Sequence, residues 1–113
     1  MVTPTAASAA TSTCDALDLP GIKSPDGGAQ ACFQAYGEHL YLCDTKADGH
    51  HPAVIYDLDG TTSDTRVDGT GLSYGLCRDI DEDLPENHTI YFKVLNVEGS
   101  TTLSYSGWYS VTT

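Results

Sequence analysis

Four cysteines in a chain of 113 residues constrain its fold more than any other feature of the sequence. Long and unequal gaps separate Cys14, Cys32, Cys43 and Cys77. Paired zinc ligands, in contrast, usually have a gap of two residues between them. An even set of widely spaced cysteines instead predicts a disulfide framework, which is typical of small secreted domains with marginal cores. Four cysteines can pair in three ways. We favour Cys14–Cys32, which ties down the N-terminal segment, and Cys43–Cys77, which links two strands distant in sequence.

Short β-prone runs separated by turn residues predict an all-β chain. Eleven glycines and five prolines interrupt the sequence, and no window sustains the apolar spacing of an amphipathic helix. The clearest strand is Thr89–Val97, where apolar side chains such as Ile90, Phe92 and Val94 recur with a period of two. The other predicted strands are Ala31–Tyr36, His39–Asp44, Ala53–Asp57, Leu72–Arg78 and Gly107–Thr112. Thr65–Val67 is a candidate short strand inside a polar loop, and Thr101–Tyr105 is a candidate hairpin partner of Thr89–Val97.

The number and spacing of these strands predict a small two-sheet antiparallel β-sandwich of about six or seven strands with two disulfides. An open β-barrel is the alternative, because strand spacing does not distinguish the two. Residues 14–113 are predicted to form the single domain, after a flexible N-terminal arm over residues 1–13 that is rich in Ala, Thr and Ser. Phe92 and Trp108 are expected to help fill the core.

The charge balance limits the kinds of partner that the chain can bind. Five basic and sixteen acidic side chains give a net charge of −11, whereas nucleic-acid binding requires clustered Lys and Arg. No apolar run approaches the roughly 18 residues of a membrane span. The expected partner is therefore another secreted protein, and a small-molecule substrate is not expected.

The densest acidic run is predicted to lie in a connection over residues 79–87. Like charges this close repel one another, so the run is either a solvated loop, a metal site or a surface for a basic protein partner. As a partner-binding surface it would attract a basic protein by long-range electrostatic steering. Its candidate residues are Asp79, Asp81, Glu82, Asp83 and Glu86.

A second acidic segment resembles a calcium loop in composition. Asp57, Asp59 and Asp64 are candidate ligands, but position six of an EF-hand would need Gly and is Thr62, and position twelve would need Glu and is Asp68. Solvated Asp-Gly turns explain the same residues. Calcium is therefore the one cofactor that the sequence suggests, and no other cofactor is predicted.

Catalysis is not predicted. The chain has no G-x-S-x-G elbow and no H-E-x-x-H helix, and disulfide formation removes the thiol that Cys–His chemistry needs. Three non-catalytic functions stay open: an interaction module, a protease inhibitor that presents a braced loop at Thr13–Ala16 or Ser24–Ala29, and a carbohydrate-binding domain with outward Tyr or Trp side chains.

The stretch from Ala31 to Val54 resembles a recurrent pattern in small secreted proteins of streptomycete-type actinomycetes. The matching elements are Ala31-Cys32-Phe33, Gly37-Glu38, Cys43-Asp44-Thr45-Lys46-Ala47-Asp48-Gly49 and the later Gly75-Leu76-Cys77. The chain departs from that pattern at Cys14, which stands in place of a late cysteine in some relatives. The resemblance implies secretion and a β fold.

The whole profile also resembles the small adaptor subunits of umbrella-shaped toxin particles, which implies a compact disulfide-bonded β domain with an N-terminal arm that joins a toxin stalk to a lectin-like subunit. The first functional hypothesis is therefore a non-catalytic secreted adaptor, with the arm ordering on its partner.

Overall fold

A computed structural model describes residues 12–60, 63–81 and 84–113. One short helix, α1, covers Thr13–Ala16. The strands are β1 (Gly21–Lys23), β2 (Ala29–Gln34), β3 (His39–Asp44), β4 (His51–Leu58), β5 (Thr65–Asp68), β6 (Cys77–Asp81), β7 (Thr89–Glu98), β8 (Thr101–Tyr105) and β9 (Tyr109–Thr112).

The strands form two antiparallel sheets, which confirms the predicted sandwich. The four-stranded sheet has the order β1-β2-β3-β6. The five-stranded sheet has the order β5-β4-β7, and β8 and β9 both pair with the remaining edge of β7. The described strands therefore stack as two layers and do not close into a barrel.

The core lies between the two sheets and follows the period-two alternation of their strands. On β7, Phe92 and Val94 are fully buried and face Phe33 and Leu42 of the other sheet in one cluster. Phe92 thus occupies the core position that the sequence predicts. The buried members of this cluster are Ala29, Ala31, Phe33, Leu40, Leu42, Val54, Tyr56, Ile80, Ile90, Phe92 and Val94.

Both predicted disulfides form, and they lie together on the outer face of the four-stranded sheet. Cys14 pairs with Cys32 and Cys43 with Cys77, and the Sγ atoms of Cys14 and Cys43 are 3.7 Å apart. Because Cys14 belongs to α1, the first bridge holds the helix against β2. The outer face of this sheet is thereby covered by the helix and the sulfur atoms.

The predicted arm lies outside the described residues except for its last two, and these belong to the folded domain. Ser12 is buried, and its Oγ donates to Gln30 Oε1 at 2.6 Å. The same Oγ accepts from the backbone N–H of Asp15 and so caps α1. Thr13 is the first helical residue. The domain therefore begins before Cys14, whereas the sequence prediction placed its start at Cys14.

The prediction for residues 72–87 is wrong in its details. Residues 72–76, expected in a strand, form turns instead, in which Leu72 and Leu76 donate to the carbonyl groups of Gly69 and Ser73. The strand β6 starts at Cys77 and continues to Asp81 into the run expected to be a loop. Acidic residues are tolerated there because alternation sends Ile80 into the core and Asp79 to the outer face.

Candidate interaction surface

Three large apolar side chains lie exposed on and beside the edge of the five-stranded sheet. Leu103, Tyr105 and Trp108 are 46%, 65% and 47% exposed, and we call them the edge patch. The Lys93 ammonium lies 4.8 Å from the centre of the Trp108 ring, which is cation–π distance. Because β7 alternates, Lys93 is on the outer face, opposite to Phe92 and Val94. This contact places Trp108 on the same outer face.

The prediction that Trp108 fills the core is wrong, and a bulge between β8 and β9 is the reason. Leu95 opposes Tyr105 and Phe92 opposes Tyr109, so three steps along β7 face four steps along its partner. One extra residue reverses the alternation of a strand. Tyr109 consequently turns inward, with its ring centre 5.5 Å from that of Phe92, and Trp108 turns outward.

A second bulge positions Leu103. Asn96 opposes Ser104 and Val97 opposes Thr102, so Leu103 is the extra residue on β8. Both bulges thus lie on the one strand path that borders β7, and each brings one member of the edge patch to the surface. Bulges also bend and interrupt an edge, which hinders the addition of another strand.

A second, smaller apolar cluster lies on the outer face beside the edge patch. Ala53, Leu95 and Val97 are buried, and Ile55 packs against them partly exposed. Leu95 and Tyr105 are direct neighbours across the β7–β8 pair. The edge patch is therefore continuous with a packed apolar surface rather than a set of isolated side chains.

No family model, no curated protein and no solved structure matches this chain. The interpretation of its surfaces consequently rests on their geometry. No helix within the described ranges is long and apolar enough to cross a membrane.

The predicted acidic surface is only partly described, and it lies away from the edge patch. Asp79 is on the outer face of β6, in the four-stranded sheet, and its Oδ1 is 2.8 Å from Nδ1 of His39. Asp81 is the last residue of β6, and Glu86 is exposed in the turn before β7. Glu82 and Asp83 lie outside the described residues. Of the described acidic residues, Asp79 and Asp81 thus belong to the sheet opposite to the edge patch, whereas Glu86 precedes β7.

The structure does not bring the three predicted calcium ligands together as a recognisable site. Among the described residues, no three side chains of His, Cys, Asp or Glu form a group that could hold a metal ion. Asp59 accepts from the backbone N–H of Thr89 at 2.9 Å and from His88, and these bonds hold the pKa of Asp59 below its usual value. Asp57 is buried and Asp64 is exposed.

A cavity of about 410 Å³ opens beside the β3–β4 loop. Its wall includes Asp44, His50, His51, Ser73 and Tyr74, and the volume lies within the range of small-ligand sites. Asp44 is only 4% exposed, and burial raises its pKa even though its Oδ1 accepts from the backbone N–H of Lys46.

The two segments considered as inhibitory loops differ in conformation. Thr13–Ala16 is helical and held down by Cys14, so it does not present an extended backbone. Residues 24–29 form a tight turn between β1 and β2, in which Ser24 Oγ accepts from the backbone N–H of Ala29 at 3.1 Å. Only the second segment is a turn between strands, and its ends, Ser24 and Ala29, are buried.

Sequence reasoning missed the edge patch because strand alternation, counted without the bulges, places Trp108 inside. One local signal was available: Ser106-Gly107 precedes Trp108, and a glycine within a strand pattern often marks a bulge. Ser106 is buried, and its Oγ accepts from the backbone N–H of Val94 at 2.9 Å, replacing a strand-to-strand bond. No comparable signal in the sequence points to Leu103.

Proposed function

We propose that this chain is a non-catalytic extracellular protein-binding module that docks its partner on the edge patch. The observation that carries the proposal is the joint exposure of Leu103, Tyr105 and Trp108 beside a packed apolar cluster. Contiguous exposed apolar surface on a small domain typically marks an interaction site. Trp and Tyr are also the residues most enriched among interface hot spots.

The two sheets differ in a way that supports this choice of face. The outer face of the four-stranded sheet is already covered by α1, which the Cys14–Cys32 bridge holds in place. The five-stranded sheet instead carries the edge patch, whose side chains are 46–65% exposed. A partner on this face would cover large apolar side chains that the domain itself leaves in water.

The charge of the chain favours a basic partner. With a net charge of −11, the domain attracts proteins of opposite charge at long range and repels acidic ones. The acidic run of Asp79, Asp81, Glu82, Asp83 and Glu86 would strengthen this attraction. We expect apolar contacts at the edge patch to supply affinity and the acidic charge to supply association rate.

An adaptor within a larger secreted assembly is the specific role that we propose. The resemblance of the chain to small secreted actinomycete proteins, and of its profile to toxin-particle adaptors, supports that role. The two disulfides support an oxidising, extracellular compartment. Residues 1–13 would then provide a second contact, which a deletion of residues 1–11 tests separately from the edge patch.

The proposal is tested by comparing matched variants as bait for proteins from the native culture medium. The wild type, Trp108→Ala and Tyr105→Ala are immobilised beside Tyr36→Ala, a control in which an 89% exposed tyrosine is removed from the β2–β3 turn. Affinities for each protein retained are then measured at low and physiological salt. Loss of a hot-spot residue weakens binding by about 30-fold or more.

We expect a basic protein that binds the wild type and Tyr36→Ala alike, binds Trp108→Ala at least tenfold more weakly, and associates more slowly at physiological salt than at low salt. The proposal is refuted if every retained protein binds Trp108→Ala as tightly as the wild type. It is also refuted if the wild type retains no protein from the medium.

Carbohydrate binding is a second candidate, favoured by the exposed rings of Trp108 and Tyr105. Exposed aromatic faces can stack on sugar rings. A glycan array separates the two functions: sugar binding that disappears in Trp108→Ala and does not depend on salt would favour this candidate. An array without hits, together with a salt-sensitive protein partner, would favour the protein-binding module.

A further inference from the structure

Two carboxylates from separate loops converge on one buried amide. Asn96 lies on the inner face of β7 and is 1% exposed. Its Nδ2 is 2.9 Å from Oδ2 of Asp26, in the β1–β2 turn, and 3.1 Å from Oδ2 of Asp48, in the β3–β4 loop. Two negative charges are thus brought together in a domain that already carries a large excess of acidic residues.

Both carboxylates are held in this orientation through their other oxygen. Oδ1 of Asp26 accepts from Ser24 Oγ at 2.7 Å and from the backbone N–H of Gly28 at 2.9 Å. Oδ1 of Asp48 accepts from the backbone N–H of His50 at 3.1 Å. Each Oδ2 is therefore the oxygen directed at Asn96, and fixing the second oxygen of a carboxylate is how proteins orient metal ligands.

The amide oxygen of Asn96 is buried without a hydrogen-bond partner. An unpartnered buried carbonyl is costly and calls for an explanation, such as a bound ion. The nitrogen and oxygen of an amide occupy almost equivalent positions, so a half-turn of the group exchanges them. That rotation would direct three oxygens, from Asp26, Asp48 and Asn96, at a common point.

We propose that Asp26, Asp48 and Asn96 form a binding site for a hard divalent cation, Ca²⁺ in particular. Oxygens bound to Ca²⁺ at 2.3–2.6 Å lie about 2.8–3.4 Å from their neighbours in the coordination shell. The distances of 2.9 and 3.1 Å from the amide to the two carboxylates match that spacing. The cation neutralises both carboxylates and supplies the partner that the amide oxygen lacks, in place of the two hydrogen bonds that Nδ2 donates in its absence.

Ca²⁺ suits this site better than Mg²⁺. Three protein oxygens leave several coordination positions to water, which reaches the site because Asp26 is exposed. Ca²⁺ accepts such irregular shells, whereas Mg²⁺ demands near-octahedral geometry and gives up its own water reluctantly. With only three ligands, we expect the Kd of about 10⁻⁴–10⁻³ M that is typical of extracellular modules.

This site differs from the calcium loop that the sequence suggested at Asp57, Asp59 and Asp64. Its ligands are far apart in the chain, separated from Asn96 by 70 residues for Asp26 and 48 for Asp48, so no local motif reveals them. A bound cation would join the β1–β2 turn and the β3–β4 loop to β7, and thereby connect the two sheets.

The test measures the effect of CaCl₂ on the intact disulfide-bonded protein by calorimetric titration and thermal unfolding. We expect the wild type to bind Ca²⁺ in the stated range and to unfold at a higher temperature in its presence. At ten times Kd the folding equilibrium constant should rise about tenfold. Asp26→Asn and Asp48→Asn should each weaken binding at least tenfold, while Asp64→Asn, an exposed control of equal charge change, should behave as the wild type.

Asn96→Asp provides a variant that gains rather than loses function. A third carboxylate should lower stability in EDTA and bind Ca²⁺ more tightly than the wild type, so that added Ca²⁺ restores the unfolding temperature. An amide that merely clasps the two loops predicts the same loss of stability without recovery in Ca²⁺. The proposal is overturned by that result, by a wild type that binds no Ca²⁺ at about 10 mM, or by Asp26→Asn and Asp48→Asn variants that bind Ca²⁺ as tightly as the wild type.

Discussion

Removal of the disulfides is the perturbation whose effect can be worked out most directly from this structure. The Cys14–Cys32 bridge closes a loop of 18 residues and the Cys43–Cys77 bridge one of 34. The chain-entropy relation for a closed loop gives about 3.2 kcal/mol for the first and about 3.8 kcal/mol for the second at 25 °C. The two loops do not overlap in sequence, so removal of both should cost about 7 kcal/mol.

That loss is comparable to the whole free energy of unfolding of a typical small domain, about 5–15 kcal/mol. We therefore expect Cys14→Ala/Cys32→Ala and Cys43→Ala/Cys77→Ala to fold with reduced stability. The variant without any cysteine should be largely unfolded at 37 °C. Loss of the first bridge should also release α1 from β2, since the helix has only four residues and is anchored through Cys14.

The assay is urea unfolding followed by far-UV circular dichroism. Fluorescence is a weaker probe because the single tryptophan, Trp108, is already 47% exposed in the folded state. Since the sulfur atoms of Cys14 and Cys43 touch, the two losses can depart from additivity by about 0.5–3 kcal/mol. The reasoning fails if either double variant loses less than about 1 kcal/mol, or if the variant without cysteines keeps most of the wild-type stability.

Three further predictions follow from burial and charge. Phe92→Ala should lower the free energy of unfolding by about 3–5 kcal/mol because Phe92 is fully buried, whereas Trp108→Ala should change it by less than about 1 kcal/mol. Equal losses for the two variants in urea unfolding would contradict the outward position of Trp108. Burial raises the pKa of Asp44, so the folded state binds this proton more tightly than the unfolded state, and ionisation costs stability as pH rises through the raised pKa. Asp44→Asn should therefore stabilise the domain at pH 7 and not below the unfolded pKa of about 3.9, which thermal unfolding across pH would show; an equal gain at both pH values would contradict burial as the cause. For Asp59 the pKa is lowered in the folded state, so the pH dependence of stability has the opposite sign. The ionised Asp59 stabilises the wild type above about pH 3.9, and this stabilisation is lost as pH falls through the lowered pKa. Asp59→Asn should remove it, and a pH profile of thermal unfolding identical to that of the wild type would contradict this prediction.

Much of the fold could be predicted from the sequence because it depends on local patterns. Alternation in Thr89–Val97 correctly gives the central strand β7 with Phe92 inside. The cysteine spacing predicts two disulfides, and of the three possible pairings the favoured one is the one that forms. The short strand β1 escaped prediction because Gly21–Lys23 has little β-prone pattern of its own. Its place is set by pairing with β2, where Gly21 opposes Cys32, and such pairing is a tertiary effect.

The surfaces were harder to predict than the core because each depends on a single register shift or on residues far apart in the chain. One extra residue near Ser106-Gly107 decides which of Trp108 and Tyr109 enters the core. The convergence of Asp26 and Asp48 on Asn96 requires three separate parts of the chain to meet. Neither arrangement can therefore be predicted from the residue pattern of one short stretch of sequence.

The two bulges also bear on how a partner can bind. A regular β8–β9 edge would present a continuous row of backbone groups and could accept an added strand. Here the extra residues at Leu103 and near Ser106 break the regular register of that path, so the edge is a poor template. The same irregularities turn Leu103 and Trp108 outward. Recognition at this sheet should therefore depend on side chains of the outer face rather than on strand addition, and truncation of Trp108 should weaken it more than any change to the backbone of β9.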